Sequence, residues 1–141
     1  AYTEGWALYA ERLADQLGGY ATPLDRIGCL QSRLFRAARL VVDTGIHSRR
    51  WSREQATAFL VEETGTPAAP SQREVDRYCV RPGQACSYMV GYLGWMRALD
   101  GARRKLGTRY DVKAFHDVLR DGELPLPMLE RLIEQRTGGR K

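Results

Sequence analysis

Between its glycine and proline marks, the apolar residues of this 141-residue chain recur at intervals of three and four, and over no strand's length do they alternate with polar ones. That period belongs to helices, because 3.6 residues per turn return side chains to one face, whereas a half-buried strand needs a period of two. The pattern predicts an all-α, multihelical unit of about seven helices. Thr3 is placed to cap a first helix from Glu4 to about Leu17, which Gly18 and Gly19 end. Pro23 opens a second, long helix whose stripe is Ile27, Leu30, Leu34, Ala37, Ala38 and Val41, flanked by Arg26, Arg33, Arg36 and Arg39, and which runs out near Asp43-Thr44-Gly45. Ser52, with Glu54 and Gln55 behind it, starts a third helix bearing Ala56, Phe59 and Leu60 and closed by Gly65.

The stretch TGTPAAPS reads as loop, and Ser71 with Glu74 three residues on matches the capping box of a helix through Val75, Tyr78 and Cys79, broken by Pro82-Gly83. Tyr88, Met89, Tyr92, Trp95, Met96, Leu99 and Leu106 follow on the most aromatic helix, which is expected to be central and most buried and to end at Gly107. Asp111 starts a short helix with Phe115, Val118 and Leu119. A last helix uses Met128, Leu129, Leu132 and Ile133 before a fraying tail, TGGRK.

A chain of 16.0 kDa is large enough to bury roughly two-thirds of its unfolded surface without a disulfide or metal staple. No apolar run approaches the roughly 18 residues that span a bilayer, and no charged-then-apolar leader opens the sequence. The chain begins AYTEGW, without Met and directly in helical period, so this end is expected to be a cut rather than a beginning. The net charge is +5, and the basic excess lies in two stretches, Arg26 to Arg53 and Arg81 to Arg109. No nucleic-acid recognition motif accompanies it, which argues against that partner. Cys29, Cys79 and Cys86 form no CxxC and cannot all pair, so they are expected to be buried free thiols.

A zinc peptidase needs a helical His pair, and the two histidines here, His47 and His116, lie far apart in sequence. Neither a GxSxG elbow nor a glycine-rich phosphate loop is present. The fragment TEGWALYAE does stand out. A carboxylate in a first helical turn is stabilised as an anion by the helix N-terminus, and a glycine beside it admits a second helix at close range. This fragment resembles the NEGFA-type segment of gluzincin metallopeptidases. The ordered series EGWALYAERLADQLG, RLFRAARLVVDTGIHSRRWSREQA, EVDRYCVRPGQACSYMVGYL and FHDVLRDGELPLPMLE resembles, from about Glu4 to Ile133, the C-terminal part of a bacterial family known as domain of unknown function 885.

That resemblance implies a fragment of a larger, helical metallopeptidase-like fold. Glu4 would be the third zinc ligand, with the other ligands and the base upstream in a longer parent; the fragment alone would hold no tightly bound metal and be inactive. Glu11, two turns along the same face, is either an acid behind the ligand or a solvated residue. His47 is either a proton donor or oxyanion stabiliser facing the metal, or a cap of its helix. Gln84 and Tyr88, four apart, are expected on one helical face, a spacing that lets both reach one substrate; Tyr88 is either an oxyanion donor or core. His116 is expected to be structural. The implied partners are the remainder of the parent chain and a peptide substrate. Uncovered apolar surface around Trp6, Tyr9 and the central helix would favour self-association. The competing reading is a non-enzymatic helical module whose Arg-rich faces bind an acidic partner.

Overall fold

In the computed structural model, which describes residues 1–138, the chain forms seven α-helices and no strand among those residues. They are α1 (Tyr2–Gln16), α2 (Pro23–Arg49), α3 (Arg53–Thr64), α4 (Ala68–Val80), α5 (Ser87–Leu106), α6 (Val112–His116) and α7 (Leu126–Gly138). Short 3-10 turns cover Gly107–Arg109 and Asp117–Asp121. Of the tail TGGRK, Gly139 to Lys141 lie outside the described residues.

Two cores organise these helices. The first joins α1, α5, α6 and α7 through Tyr2, Tyr9, Trp95, Leu99, Phe115, Val118, Leu129 and Ile133. The second joins the C-terminal half of α2 to α3 and α4 through Ala38, Val42, Ala56, Leu60, Val75 and Tyr78, with Ala85 at the approach to α5. As expected, α5 is the central helix, and Trp95 on it is fully buried. It crosses α1 where Gly5 meets Gly91: a Cβ on Gly5 would lie 2.5 Å from the Gly91 Cα, so only two glycines permit this approach.

Several local signals resolve differently from the sequence reading. Helix α1 starts at Tyr2, so Thr3 lies inside it, and its hydroxyl donates to Glu123 Oε1 at 2.7 Å instead of capping. Helix α2 begins with a full capping box between Thr22 and Asp25 around Pro23, a signal present in TPLD. It continues through Gly45 to Arg49, because Gly45 is the seat of the Trp51 indole, from which a Cβ there would stand 2.5 Å. The expected loop TGTPAAPS is partly helix. Pro70 falls in the first turn of α4, where no intrahelical donor is needed, and buried Ser71 donates back to Thr66 and Pro67 carbonyls rather than capping. Ser52 and Asp111 do cap, accepting from Gln55 N–H at 3.1 Å and Lys113 N–H at 2.9 Å.

The α2 stripe is the largest departure. Ala38 and Val42 are buried, but Leu24, Ile27, Leu30, Leu34 and Val41 are exposed. Over the first three turns of α2 the apolar stripe is left uncovered, while Arg26 and Arg33 on the flanks reach Asp15 and Tyr92. The uncovered apolar surface therefore lies mostly on α2, and in part on the central helix α5 at Val90 and Leu93, but not at Trp6 and Tyr9, which pack in the aromatic core. The cysteines are free as expected but not buried: Cys79 is exposed and the other two are intermediate.

Candidate functional site

Glu4 sits in the first turn of α1, half-buried, with its Oε2 at 3.5 Å from the Ala1 amine. Its neighbour Gly5 is the glycine against which α5 packs, so the close approach expected beside this carboxylate occurs. Tyr88 stands one turn before Gly91 on α5. No three His, Cys, Asp or Glu side chains among the described residues gather closely enough to hold a metal ion. Glu4 thus offers one donor where a tetrahedral zinc site takes at least three from protein.

Around Tyr88 the fold assembles a charged cluster from four helices. The guanidinium of Arg36 lies 5.8 Å from the Tyr88 ring centre and that of Arg39 5.3 Å. Each is anchored by a carboxylate. Arg36 donates to Glu11 Oε1 at 3.0 Å and also to Ser32 Oγ; Arg39 donates to Glu74 Oε2 at 2.9 Å. The Tyr88 hydroxyl makes no hydrogen bond to the described residues, which leaves it available to a ligand. Glu11 is therefore neither solvated nor behind Glu4: it is the counter-charge of Arg36.

Glu74 Oε2 also accepts from Arg77 at 2.8 Å and from the Tyr78 hydroxyl at 2.9 Å. Burial alone would raise this carboxyl, but the Arg77 and Tyr78 hydrogen bonds and the Arg39 charge hold it below its ordinary value. Burial and the same carboxylate push the Tyr78 hydroxyl up. Sequence reasoning placed Glu74 in a capping box and missed this hub. Its only sequence trace is the i, i+3 and i, i+4 spacing to Arg77 and Tyr78.

Gln84 does not share a helical face with Tyr88, because α5 starts at Ser87 and Gln84 lies in the preceding turn. Its Oε1 accepts from Arg77 at 2.6 Å, joining it to the Glu74 hub instead. His47 lies elsewhere, in the last turn of α2, where its Nε2 donates to the Tyr78 carbonyl at 3.1 Å and stands 4.0 Å from Asp43 Oδ1. Asp43, buried, accepts the Gly83 N–H with both oxygens at 3.0 Å and so fixes the turn that carries Gln84. His116 packs edge-on among Trp6, Tyr9 and Phe115 and hydrogen-bonds the Tyr9 hydroxyl at 2.9 Å. Burial lowers its affinity for a proton.

Among the arginines of α2, Arg26 pairs with Asp15 at the surface, and Arg36 with Glu11 and Arg39 with Glu74 in partly buried pairs. Three of the four arginines that flank the α2 stripe are thus ion-paired, and Arg33 meets no carboxylate among the described residues. No helix is long and apolar enough to cross a membrane among the described residues. A cavity of about 650 Å³ lies apart from this cluster, between Tyr110, Phe115, Arg120 and Arg136.

These features define an all-α unit with a carboxylate at a tight helix crossing and a tyrosine clamped between two neutralised arginines. The chain belongs to the family described as bacterial protein of unknown function (DUF885), whose model matches residues 1–133. It is similar to a solved structure described as "the putative lipoprotein from Colwellia psychrerythraea", with a TM-score of 0.96 and 44% identity over 99% of this chain. The chain spans only 24% of that relative's length. No curated protein matches it.

Proposed function

We propose that this chain is the C-terminal portion of a zinc-dependent, peptidase-like hydrolase to which it supplies one metal ligand, Glu4, and the substrate-facing Tyr88. The observation that carries the reading is the position of Glu4, in a first helical turn beside a glycine crossing with the helix that bears Tyr88. Membership of the family and the fourfold greater length of the similar structure support it, since the remaining ligands and the base would come from elsewhere in a longer chain. By itself this portion would bind zinc weakly and hydrolyse nothing.

Zinc, if held by Glu4 together with ligands from elsewhere in a longer chain, would supply a Lewis acid for a carbonyl and for water. The residues of this chain do the rest. Glu4 presents an anionic oxygen favoured by the start of α1. Tyr88, its ring fixed between Arg36 and Arg39, points a free hydroxyl donor that stabilises a developing oxyanion, a contribution on the order of 3 kcal/mol. Gln84 is oriented by Arg77 and positions substrate. His47 acts by holding the turn before α5 through its contacts with α4 and Asp43, not as a proton donor.

Zinc titration of the complete protein and its Glu4→Gln variant tests the assignment. The expected outcome is at least a tenfold weaker affinity in the variant. Equal, tight binding by both overturns it.

A further inference from the structure

Tyr88 and Tyr92 stand one turn apart on α5, and each is flanked by two arginines, but only one pair is neutralised. Beside Tyr88, Arg36 and Arg39 meet Glu11 and Glu74. Beside Tyr92, Arg33 of α2 lies 5.9 Å from the ring centre, and Arg12 of α1 reaches the hydroxyl at 3.4 Å. Neither Arg12 nor Arg33 has a carboxylate within ion-pair distance among the described residues. Arg12 spends its donors on the Tyr92 hydroxyl and, at 3.3 Å, on the thioether of Met96, a weak acceptor. The Arg33 Nε is buried without a partner; so is that of Arg39, but the Arg39 guanidinium has Glu74 as its counter-charge and Arg33 has none among the described residues.

Two half-buried guanidiniums converging on one aromatic ring repel each other, and arginine does not relieve this by losing its proton. An anion seated between them would remove that repulsion more fully than water does, because it brings an opposite charge. The fork of a guanidinium matches a carboxylate, and two forks from different helices set both its position and its plane.

We propose that Arg12 and Arg33 form an anion site that takes the free α-carboxylate of a peptide ligand, one helical turn along α5 from Tyr88. The ligand class rests on the peptidase-like reading above; the anion site itself rests on the unpaired arginines. It would make the protein select peptides by their free C-terminal end, with Tyr92 as the floor under the carboxylate.

The test is calorimetric binding of tri-alanine and of tri-alanine amide to the metal-free complete protein. The free acid is expected to bind about tenfold more tightly than the amide, since a charge-assisted hydrogen-bonded pair is lost with the carboxylate. Arg12→Met and Arg33→Met should each abolish that preference, and Arg33→Lys, which keeps the charge but not the fork, should restore part of it. Circular dichroism and the thermal midpoint of each variant establish that it folds, and the lysine variant serves if a methionine variant does not. Equal binding of acid and amide by the unaltered protein overturns the proposal, as does a preference that survives in both methionine variants. Glu4→Gln should leave the preference intact, so failure of the zinc assignment and failure of the carboxylate site are separate results.

Discussion

The two cores reach stability by different means. In the α1–α5–α7 core, Tyr2, Trp6, Tyr9, Trp95 and Phe115 meet ring to ring at centroid distances from 5.1 to 6.2 Å. Two of their polar ends are satisfied inside, since the Trp95 indole donates to the Tyr2 carbonyl at 3.1 Å and Tyr9 meets His116, whereas the Tyr2 hydroxyl is buried without a partner. In the α2–α3–α4 core the buried residues are mostly small and aliphatic, and the polar ties run along its border through Glu74 and Asp43. Large rings carry most of the area and interlock by shape, so the first core depends on a few irreplaceable side chains. The second spreads its burial over many small contacts and depends on charge to fix its edge facing α5.

The sharpest way to break this comparison is Trp95→Ala, which should cost about 4 kcal/mol in urea denaturation, since an emptied aromatic site collapses only partly. Gly91→Ala should cost about 3 kcal/mol through overpacking, because the added Cβ meets the backbone of Ala1 and Gly5 rather than a movable side chain. In the aliphatic core, Leu60→Ala should cost about 2.5 kcal/mol by the same assay. If Leu60→Ala equalled or exceeded Trp95→Ala, the proposed contrast in how the cores distribute their burial would be wrong.

Acid should separate the cores next. Burial holds the folded His116 below its ordinary value near 6.5, so the unfolded chain takes up the proton first. Its contribution is complete above about pH 6.5 and is lost as pH falls toward the folded value. Glu74 is held below 4.5, so its contribution is complete above that pH and is lost only as pH falls through the lower folded value. Urea midpoints measured from pH 7.5 to 3 should therefore fall in two steps, with His116→Asn removing the upper one and Glu74→Gln shrinking the lower, to which Asp25, Glu54 and Asp76 also contribute. The smallest expected effect is Leu30→Ser on the exposed part of α2, within about 0.5 kcal/mol of the unaltered chain. A loss of several times that would mean this stripe is covered, for instance by a second copy, and light scattering on the same samples would reveal such association.

Much of the fold was legible because it is local. The helical period, the Ser52 and Asp111 caps, the Gly65 stop and the aromatic α5 all express preferences decided within a few residues. The errors share one cause. Gly45 and Ser71 carry the chemistry of helix ends, yet Gly45 is there to seat Trp51 and Ser71 to fill a buried position inside α4. Glycine and serine serve both local conformation and packing space, and a single sequence does not say which. The α2 stripe misled for the converse reason. Its period correctly predicted a helix, but a period names the face that is apolar without saying what covers it.

Of the candidate residues, the first-turn place of Glu4 and the glycine beside it were readable, since both are local to the start of α1, although the partner glycine, Gly91, was not. The surroundings of Tyr88 were not. Glu11, Arg36, Arg39 and Glu74 come from three helices, and each reads alone as an ordinary charged residue on a helix surface. Their pairing depends on the angles at which α1, α2 and α4 meet α5, and those angles follow from contacts such as Gly5 on Gly91 that involve residues 86 positions apart. The sequence by itself determined that this protein is helical, where most helices begin and which carboxylate opens α1. Only the tertiary structure decided which arginines meet a carboxylate and which do not among the described residues, because ion pairs form between side chains that the chain's own order keeps distant.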